Sequence, residues 1–217
     1  MSAEQFAKAC APHAEEAGRA VDTKTIRWFP ERTYGDRTYV PATADGVESE
    51  SGAERIEYYG HVSFERPADE GEPSGLRAKA DFTDVTAEDN PDWRMDLNDD
   101  VIGRWYAAAG RGGDLTLIWG LPLIRGAVAA TAELDGEVVD QGAIEDGRFT
   151  LVAVDAIEGF GDTPLYLEIV LWDRSLRRVV ASESLYADSD EGDDEDSEDA
   201  GAEGRKADEE PATAEEK

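Results

Sequence analysis

Residues 124–154 read IRGAVAATAELDGEVVDQGAIEDGRFTLVAV, and this stretch indicates the fold class most clearly. Two Asp-Gly pairs, Asp135-Gly136 and Asp146-Gly147, each separate two runs of alternating apolar residues. An Asp-Gly pair in this setting is the strongest short-range signal for a β-hairpin, because both residues tolerate the positive φ angles of a tight hairpin turn. The stretch therefore predicts consecutive antiparallel strands.

Similar strand-forming runs lie on both sides of this stretch. Residues 115–119, 165–172 and 178–185 are rich in Leu, Ile, Val and aromatic residues, and turn-forming residues separate them. Short strands with turn signals about every ten residues are typical of β-sandwiches and barrels, and not of alternating strands and helices. We therefore predict a mainly β protein whose C-terminal half, residues 115–187, is an antiparallel β-sandwich or barrel.

The N-terminal part, residues 1–114, has a mixed pattern. Residues 2–20 contain many good helix formers, so we predict a short N-terminal helix that Ser2 caps. β-branched and aromatic residues then predict strands at 23–29 and 37–40, each stopped by the proline that follows it.

Residues 55–65 show the clearest alternation in this part. A strand here places five side chains on one face, namely Ile56, Tyr58, Gly60, Val62 and Phe64. Residues 99–109 instead suit a helix that an aspartate at its start caps and Gly110 ends. We therefore expect residues 1–114 to form a mixed α+β part that packs on the C-terminal half.

Charge is the strongest compositional signal. The chain has 51 Asp and Glu residues against 21 Lys and Arg residues, which gives a net charge of −30. Residues 188–217 carry −12 of this charge and contain no aromatic, Ile, Leu, Val or Met residue. Such a segment cannot bury enough apolar surface to offset its ordering entropy, so we predict a disordered acidic C-terminal tail.

The residues before this tail still carry −18, which a folded core has to tolerate. At molar salt the Debye length falls to about 3 Å, so the repulsion between these charges is screened. A composition with few Lys and many Asp and Glu resembles that of proteins from salt-accumulating haloarchaea. The alternative is a protein of a high-GC actinobacterium or a phage. The same charge argues against direct binding of nucleic acids or anionic membranes.

Targeting and cysteine signals are few. The sequence has no 18-residue apolar run, and its N-terminus lacks the basic start and apolar stretch of a signal peptide. We therefore expect a cytoplasmic or virion protein that is not secreted by a signal peptide and has no membrane partner. A single cysteine, Cys10, excludes an intrachain disulfide framework and favours a buried, inert thiol.

Catalytic motifs are missing from the sequence. The two histidines, His13 and His61, lie in no HExxH motif, and no GxSxG motif or phosphate-binding loop occurs. We expect His61 to face solvent or to lie at a sheet edge, and we expect no cofactor. A carboxylate pair for glycoside hydrolysis stays open, since acidic residues are so abundant that their spacing singles out no pair.

Asp96, Asn98 and Asp100 match the opening D-x-[DN]-x-[DN] of a calcium-binding loop. The match then fails, because Val101 stands where the turn glycine belongs. The three residues therefore predict at most loosely bound Ca²⁺ or Mg²⁺, and a hydrated acidic surface is the alternative. The five tryptophans suit core packing, with a sugar- or protein-binding face as the alternative.

The absence of motifs favours a non-enzymatic structural or assembly protein of a halophilic system, which binds protein subunits in a homo- or hetero-oligomer. A virion component of a tailed virus, in the capsid decoration, neck or tail, is one setting. The first alternative is a small-ligand or carbohydrate-binding β domain, which includes an Asp/Glu hydrolase. The second is an acidic decoy or chaperone that occupies the nucleic-acid site of a basic partner.

Overall fold

The computed structural model describes residues 3–47, 55–66, 72–107, 111–158 and 165–182, which all belong to one compact unit. The elements are α1 (Ala3–Cys10), a short 3-10 helix (Ala11–His13), β1 (Arg27–Trp28), β2 (Arg32–Tyr34), β3 (Arg37–Asp45), β4 (Glu57–Glu65), β5 (Ser74–Thr83), β6 (Met95–Tyr106), β7 (Gly112–Pro122), β8 (Ala127–Leu134), β9 (Glu137–Ala143), β10 (Phe149–Asp155), β11 (Leu167–Asp173) and β12 (Arg178–Ala181).

The strands form three antiparallel sheets. The five-stranded sheet has the order β1-β3-β4-β5, and β2 also pairs with β3. The three-stranded sheet has the order β10-β7-β6, and the four-stranded sheet has the order β12-β11-β8-β9. The predictions of a mainly β protein and a short N-terminal helix are therefore confirmed. The predicted tail, residues 188–217, lies outside the described residues.

The three-stranded sheet is buried on both faces, and the alternation of β7 explains how. Leu117 and Trp119 point to one side and pack with Phe29 and Tyr39 of the five-stranded sheet. Ile118 points to the other side, into a core shared with β8, β10 and β11. A strand that is covered on both faces reads as a continuous apolar run, and residues 115–121, LTLIWGL, have that character.

Helix α1 covers the outer face of the five-stranded sheet. Phe6 and Cys10 are fully buried there with Tyr58 and Val62 of β4. The face of β4 that the alternation predicts to be apolar is therefore the face under the helix. Cys10 is buried as expected, and burial raises the pKa of its thiol to about 12.

The two Asp-Gly pairs form tight turns, but only the first closes a hairpin within one sheet. Asp135 and Gly136 have φ angles of 51° and 80° and join β8 to β9, which pair with each other. Asp146 and Gly147 have φ angles of 50° and 74°, yet the strands on either side enter different sheets. This second turn therefore carries the chain from the four-stranded to the three-stranded sheet.

Two local predictions are wrong. The helix predicted for residues 99–109 is not formed, because residues 95–106 are the edge strand β6, which pairs with β7. Pro41 does not stop the second strand, since β3 runs through it to Asp45. The Pro41 carbonyl accepts a hydrogen bond from Phe29 N, so the backbone of Pro41 faces away from β4. The N–H group that proline lacks therefore costs the β3–β4 ladder nothing.

The predicted boundary between residues 114 and 115 falls inside β7. In the described part of the chain, no helix is long and apolar enough to cross a membrane.

Candidate functional site

The face of β4 opposite α1 is polar and lies against the three-stranded sheet. Glu57, Tyr59, His61 and Ser63 alternate with the apolar residues under the helix, so they point the other way. The ring centroids of Tyr59 and Trp119 are 6.5 Å apart, and His61 Nδ1 lies 3.2 Å from Asp100 Oδ2. These contacts place the candidate site between β4, β5 and β6.

A cleft of about 240 Å³ opens at this junction, and we call it the acidic cleft. It is lined by Glu57, Tyr59, Thr83, Val85, Trp93, Asp96, Leu97, Asn98 and Asp99. Trp93 precedes β6 and keeps 38% of its surface exposed, so its ring is accessible to a ligand. The cleft thus combines two aromatic side chains with three carboxyl groups.

Glu57 has the most perturbed carboxyl group of the cleft. Its side chain is only 13% exposed, and burial raises its pKa to about 7. The Arg27 guanidinium contacts the carboxylate and lowers the pKa, whereas Asp96 and Asp45 raise it. Burial outweighs the single cation, so the carboxyl group takes up a proton near neutral pH.

Asp96 and Asp99 have raised pKa values too, and burial is again the main cause. Asp155 adds to the effect at Asp99 by charge repulsion. Neither side chain forms a hydrogen bond or ion pair with any other residue that the structure describes. Both carboxyl groups are therefore available to hydrogen-bond donors of a ligand.

A smaller cavity of about 80 Å³ adjoins the cleft, and we call it the inner cavity. Its lining comprises Tyr59, Gly60, Lys79, Ala80, Asp81, Asp99, Asp100 and Trp119, and it shares Tyr59 and Asp99 with the cleft. Trp119 is fully buried, and its Nε1 has no acceptor among the described residues.

Asp100 connects the two sheets behind the cavity. Its carboxylate contacts Lys79 Nζ of β5 and lies 3.2 Å from His61 Nδ1, in an ion-pair contact that is poorly aligned for a hydrogen bond. Burial raises the pKa of Asp100, but the contacts with His61 and Lys79 outweigh burial and lower it below its ordinary value. The prediction that His61 faces solvent or an edge is wrong, because β3 and β5 flank it and only 7% of it is exposed.

The three residues of the predicted metal loop lie along one strand. Asp96, Asn98 and Asp100 alternate in β6, where second neighbours are about 7 Å apart. Asp96 and Asn98 line the cleft, whereas Asp100 lines the inner cavity. No group of three His, Cys, Asp or Glu side chains within the described ranges is arranged to hold a metal ion. Loose Ca²⁺ or Mg²⁺ binding stays a prediction.

Sequence reasoning missed Glu57, Tyr59 and Asp99 as site residues, and it assigned Trp119 to the core with a binding face only as the alternative. Glu57 and Tyr59 could have been found from the alternation in β4. If Ile56, Tyr58, Gly60, Val62 and Phe64 lie on one face, then the residues between them lie together on the opposite face. Trp119 shows no signal, because its run reads as core. The structure describes all five tryptophans, and among them Trp119 alone is fully buried.

A second concave surface lies on the four-stranded sheet, and we call it the outer groove. It has a volume of about 560 Å³ and is lined by Val128, Ala129, Thr131, Gln141, Gly142, Ala143, Trp172 and Leu176. Trp172 Nε1 donates a hydrogen bond to Thr131 Oγ1 at 2.8 Å, which fixes the indole. Leu176 is 80% exposed in the turn between β11 and β12.

In comparisons with known proteins, no family model, no curated protein and no solved structure matches the chain.

Proposed function

We propose that the protein binds a small ligand, of the carbohydrate class, in the acidic cleft. The observation that carries this proposal is the accessible ring of Trp93 in a cleft with Asp96 and Asp99, whose carboxyl groups have no partner in the described part of the chain. This geometry favours a small-ligand or carbohydrate-binding β domain over the assembly protein that the sequence analysis put first. The β-sandwich predicted for the C-terminal half supplies the rigid support for the cleft in this proposal.

The chemistry of the lining suits a sugar. Aromatic rings pack against the C–H faces of a sugar ring, and the lining of the cleft contains two such rings, those of Trp93 and Tyr59. Carboxylate oxygens accept hydrogen bonds from hydroxyl groups, and several such acceptors converge here. The same acceptors repel anionic ligands such as nucleotides.

Glu57 extends the proposal to hydrolysis. A carboxyl group with a pKa of about 7 holds a proton that it can donate to a glycosidic oxygen, while Asp96 in the same cleft supplies a second carboxyl group. The binding proposal does not depend on this step. Release of reducing ends from bound oligosaccharides, and its loss in Glu57→Gln, distinguishes an enzyme from a binding protein.

The test is calorimetric titration of the full chain with a panel of mono- and oligosaccharides in 3 M KCl. We expect Trp93→Ala to weaken binding about tenfold, the loss of one stacking contact. The matched control is Trp105→Ala, since Trp105 lies in β6 outside the cleft. Absence of binding to every sugar, or equal loss in both variants, overturns the proposal.

The outer groove favours assembly as a second candidate function. The exposed Leu176 stands beside the apolar lining, so a two-fold pair of chains can place the leucine of each copy in the groove of the other. Screening of the −18 charge at high salt makes such contact feasible.

Light scattering from 0.1 to 3 M KCl tests this candidate. We expect a dimer at high salt that Leu176→Asp dissociates, whereas Leu123→Asp, at another exposed leucine, leaves it intact. A monomer at every salt concentration refutes assembly of this chain with itself. Portal or tape-measure genes beside the coding gene are the evidence that a virion setting requires.

A further inference from the structure

We propose that the inner cavity receives a hydroxyl group of the ligand, to which Trp119 Nε1 donates a hydrogen bond. The proposal rests on the proposed function of the acidic cleft and narrows its ligand to a hexose that carries a free primary hydroxyl group.

The first argument is the unsatisfied donor. Trp119 is fully buried in the three-stranded sheet, lines the inner cavity, and finds no acceptor for its indole N–H in the described part of the chain. Buried donors are almost always paired in native proteins, and a missing partner is costly. An acceptor from outside the chain, either water or a ligand atom, therefore belongs in this cavity.

The second argument is the mixture of groups around the cavity. Trp119 Nε1 and Lys79 Nζ are donors, whereas the carboxylates of Asp99 and Asp100 are acceptors. A hydroxyl group satisfies both kinds, because it accepts one hydrogen bond and donates another. An organic ammonium ion only donates, so it leaves Trp119 without a partner. A carboxylate or phosphate is repelled by the three aspartates of the lining, Asp81, Asp99 and Asp100.

The third argument is size. The inner cavity holds about 80 Å³, the space of roughly two or three water molecules. A hydroxymethyl group fits this space, whereas a sugar ring does not. The adjoining cleft of about 240 Å³ accepts the ring, and both spaces share Tyr59 and Asp99. A pyranose with an exocyclic CH₂OH group has the matching shape, with its ring in the cleft and its arm in the cavity.

The test compares D-glucose, D-galactose and D-mannose with their 6-deoxy forms by titration in 3 M KCl. We expect at least one hexose to bind about tenfold more tightly than its 6-deoxy form, which corresponds to one hydrogen bond. Trp119→Phe keeps an aromatic ring in the core and removes the N–H donor together with part of the indole volume. The tenfold preference should therefore disappear, while binding of the 6-deoxy sugar persists. Trp105→Phe is the matched control and should keep the preference.

Because a core variant can lose its fold, a second measurement uses the unmodified protein. The indole N–H resonance of Trp119, assigned by its absence in Trp119→Phe, should shift on addition of the hexose and not of its 6-deoxy form. If hexose and 6-deoxy forms bind equally and this resonance does not move, the cavity holds water only and the inference is wrong, while the proposed function stands. If no sugar binds, both proposals fail.

Discussion

His61 Nδ1 in β4 lies 3.2 Å from Asp100 Oδ2 in β6, and this contact joins the five-stranded and three-stranded sheets directly behind the inner cavity. Both side chains are largely buried, at 8% and 12% exposure. Lys79 of β5 contacts the other oxygen of Asp100 from the solvent side. This carboxylate therefore helps to hold β6 against β4 beside the acidic cleft, together with the packing of Tyr59 on Trp119.

Removing the charge of Asp100 should destabilise the fold. Asp100→Asn keeps the shape of the side chain but leaves His61 and Lys79 without their anion, so we expect a loss of about 1–3 kcal/mol in the free energy of unfolding at pH 7. Because the folded-state pKa of Asp100 is lowered, its contribution is present above the unfolded-state pKa of 3.8 and disappears as the pH falls through the folded-state value.

Urea unfolding of both proteins between pH 2.5 and 7 measures this difference, which should shrink towards the acid end. Asp36→Asn is the control, since Asp36 is exposed in the turn between β2 and β3. A difference that stays constant down to pH 2.5 would contradict the assigned role of the Asp100 charge.

Protonation of Glu57 should appear in the pH dependence of stability. Its folded-state pKa of about 7 is above the ordinary 4.5, so its stabilising contribution is complete below pH 4.5 and is lost as the pH rises through 7. Between pH 4 and 8 the natural protein should lose about 3 kcal/mol relative to Glu57→Gln, which cannot ionise.

The matched control for this prediction is Glu65→Gln. Glu65 lies in the same strand and also contacts an arginine, Arg37. If the stability curves of Glu57→Gln and the natural protein run parallel across this pH range, Glu57 has an ordinary pKa.

Gly60 permits the close approach of β4 and β5 beside the inner cavity. A Cβ atom at this position would lie 2.2 Å from the Lys79 carbonyl oxygen, and the backbone there cannot yield without parting the strands. We expect Gly60→Ala to cost about 1–3 kcal/mol in the free energy of unfolding, typical of overpacking. Gly103→Ala in β6, whose nearest neighbour would be 3.7 Å away, should be nearly neutral. Equal effects of the two substitutions in urea unfolding would argue against this close contact.

Salt should stabilise the folded chain, as the halophilic setting requires. Raising KCl from 0.1 to 3 M screens the −18 charge before residue 188, so the urea midpoint should rise by more than about 1 M. Deleting residues 188–217 removes −12 but should leave most of this dependence, because a charge of −18 remains in residues 1–187. A midpoint independent of KCl would refute the halophilic prediction.

Local pattern was enough where one face of a strand is apolar and the other is polar. Residues 57–65 alternate because one side packs under α1, and the turn at Asp135-Gly136 follows from the φ angles that these two residues tolerate. The local pattern did not predict β6 as a strand. Asp96, Asn98 and Asp100 face the polar side of β4, so this strand has no regular spacing of apolar residues. The local pattern failed at Pro41 as well, because the direction of its backbone groups depends on which strand lies beside it.

The sequence by itself determined the β class, the N-terminal helix, the first hairpin turn and the acidic charge, since these depend on residue type and on spacing within a few residues. Only the tertiary structure decided the stacking of three sheets and the meeting of Glu57 with Asp96 and of His61 with Asp100. Those pairs lie 39 residues apart in the chain. Burial between the sheets raises the pKa of Glu57 and Asp96, whereas the contacts with His61 and Lys79 lower the pKa of Asp100. No local pattern encodes which polar faces are brought together.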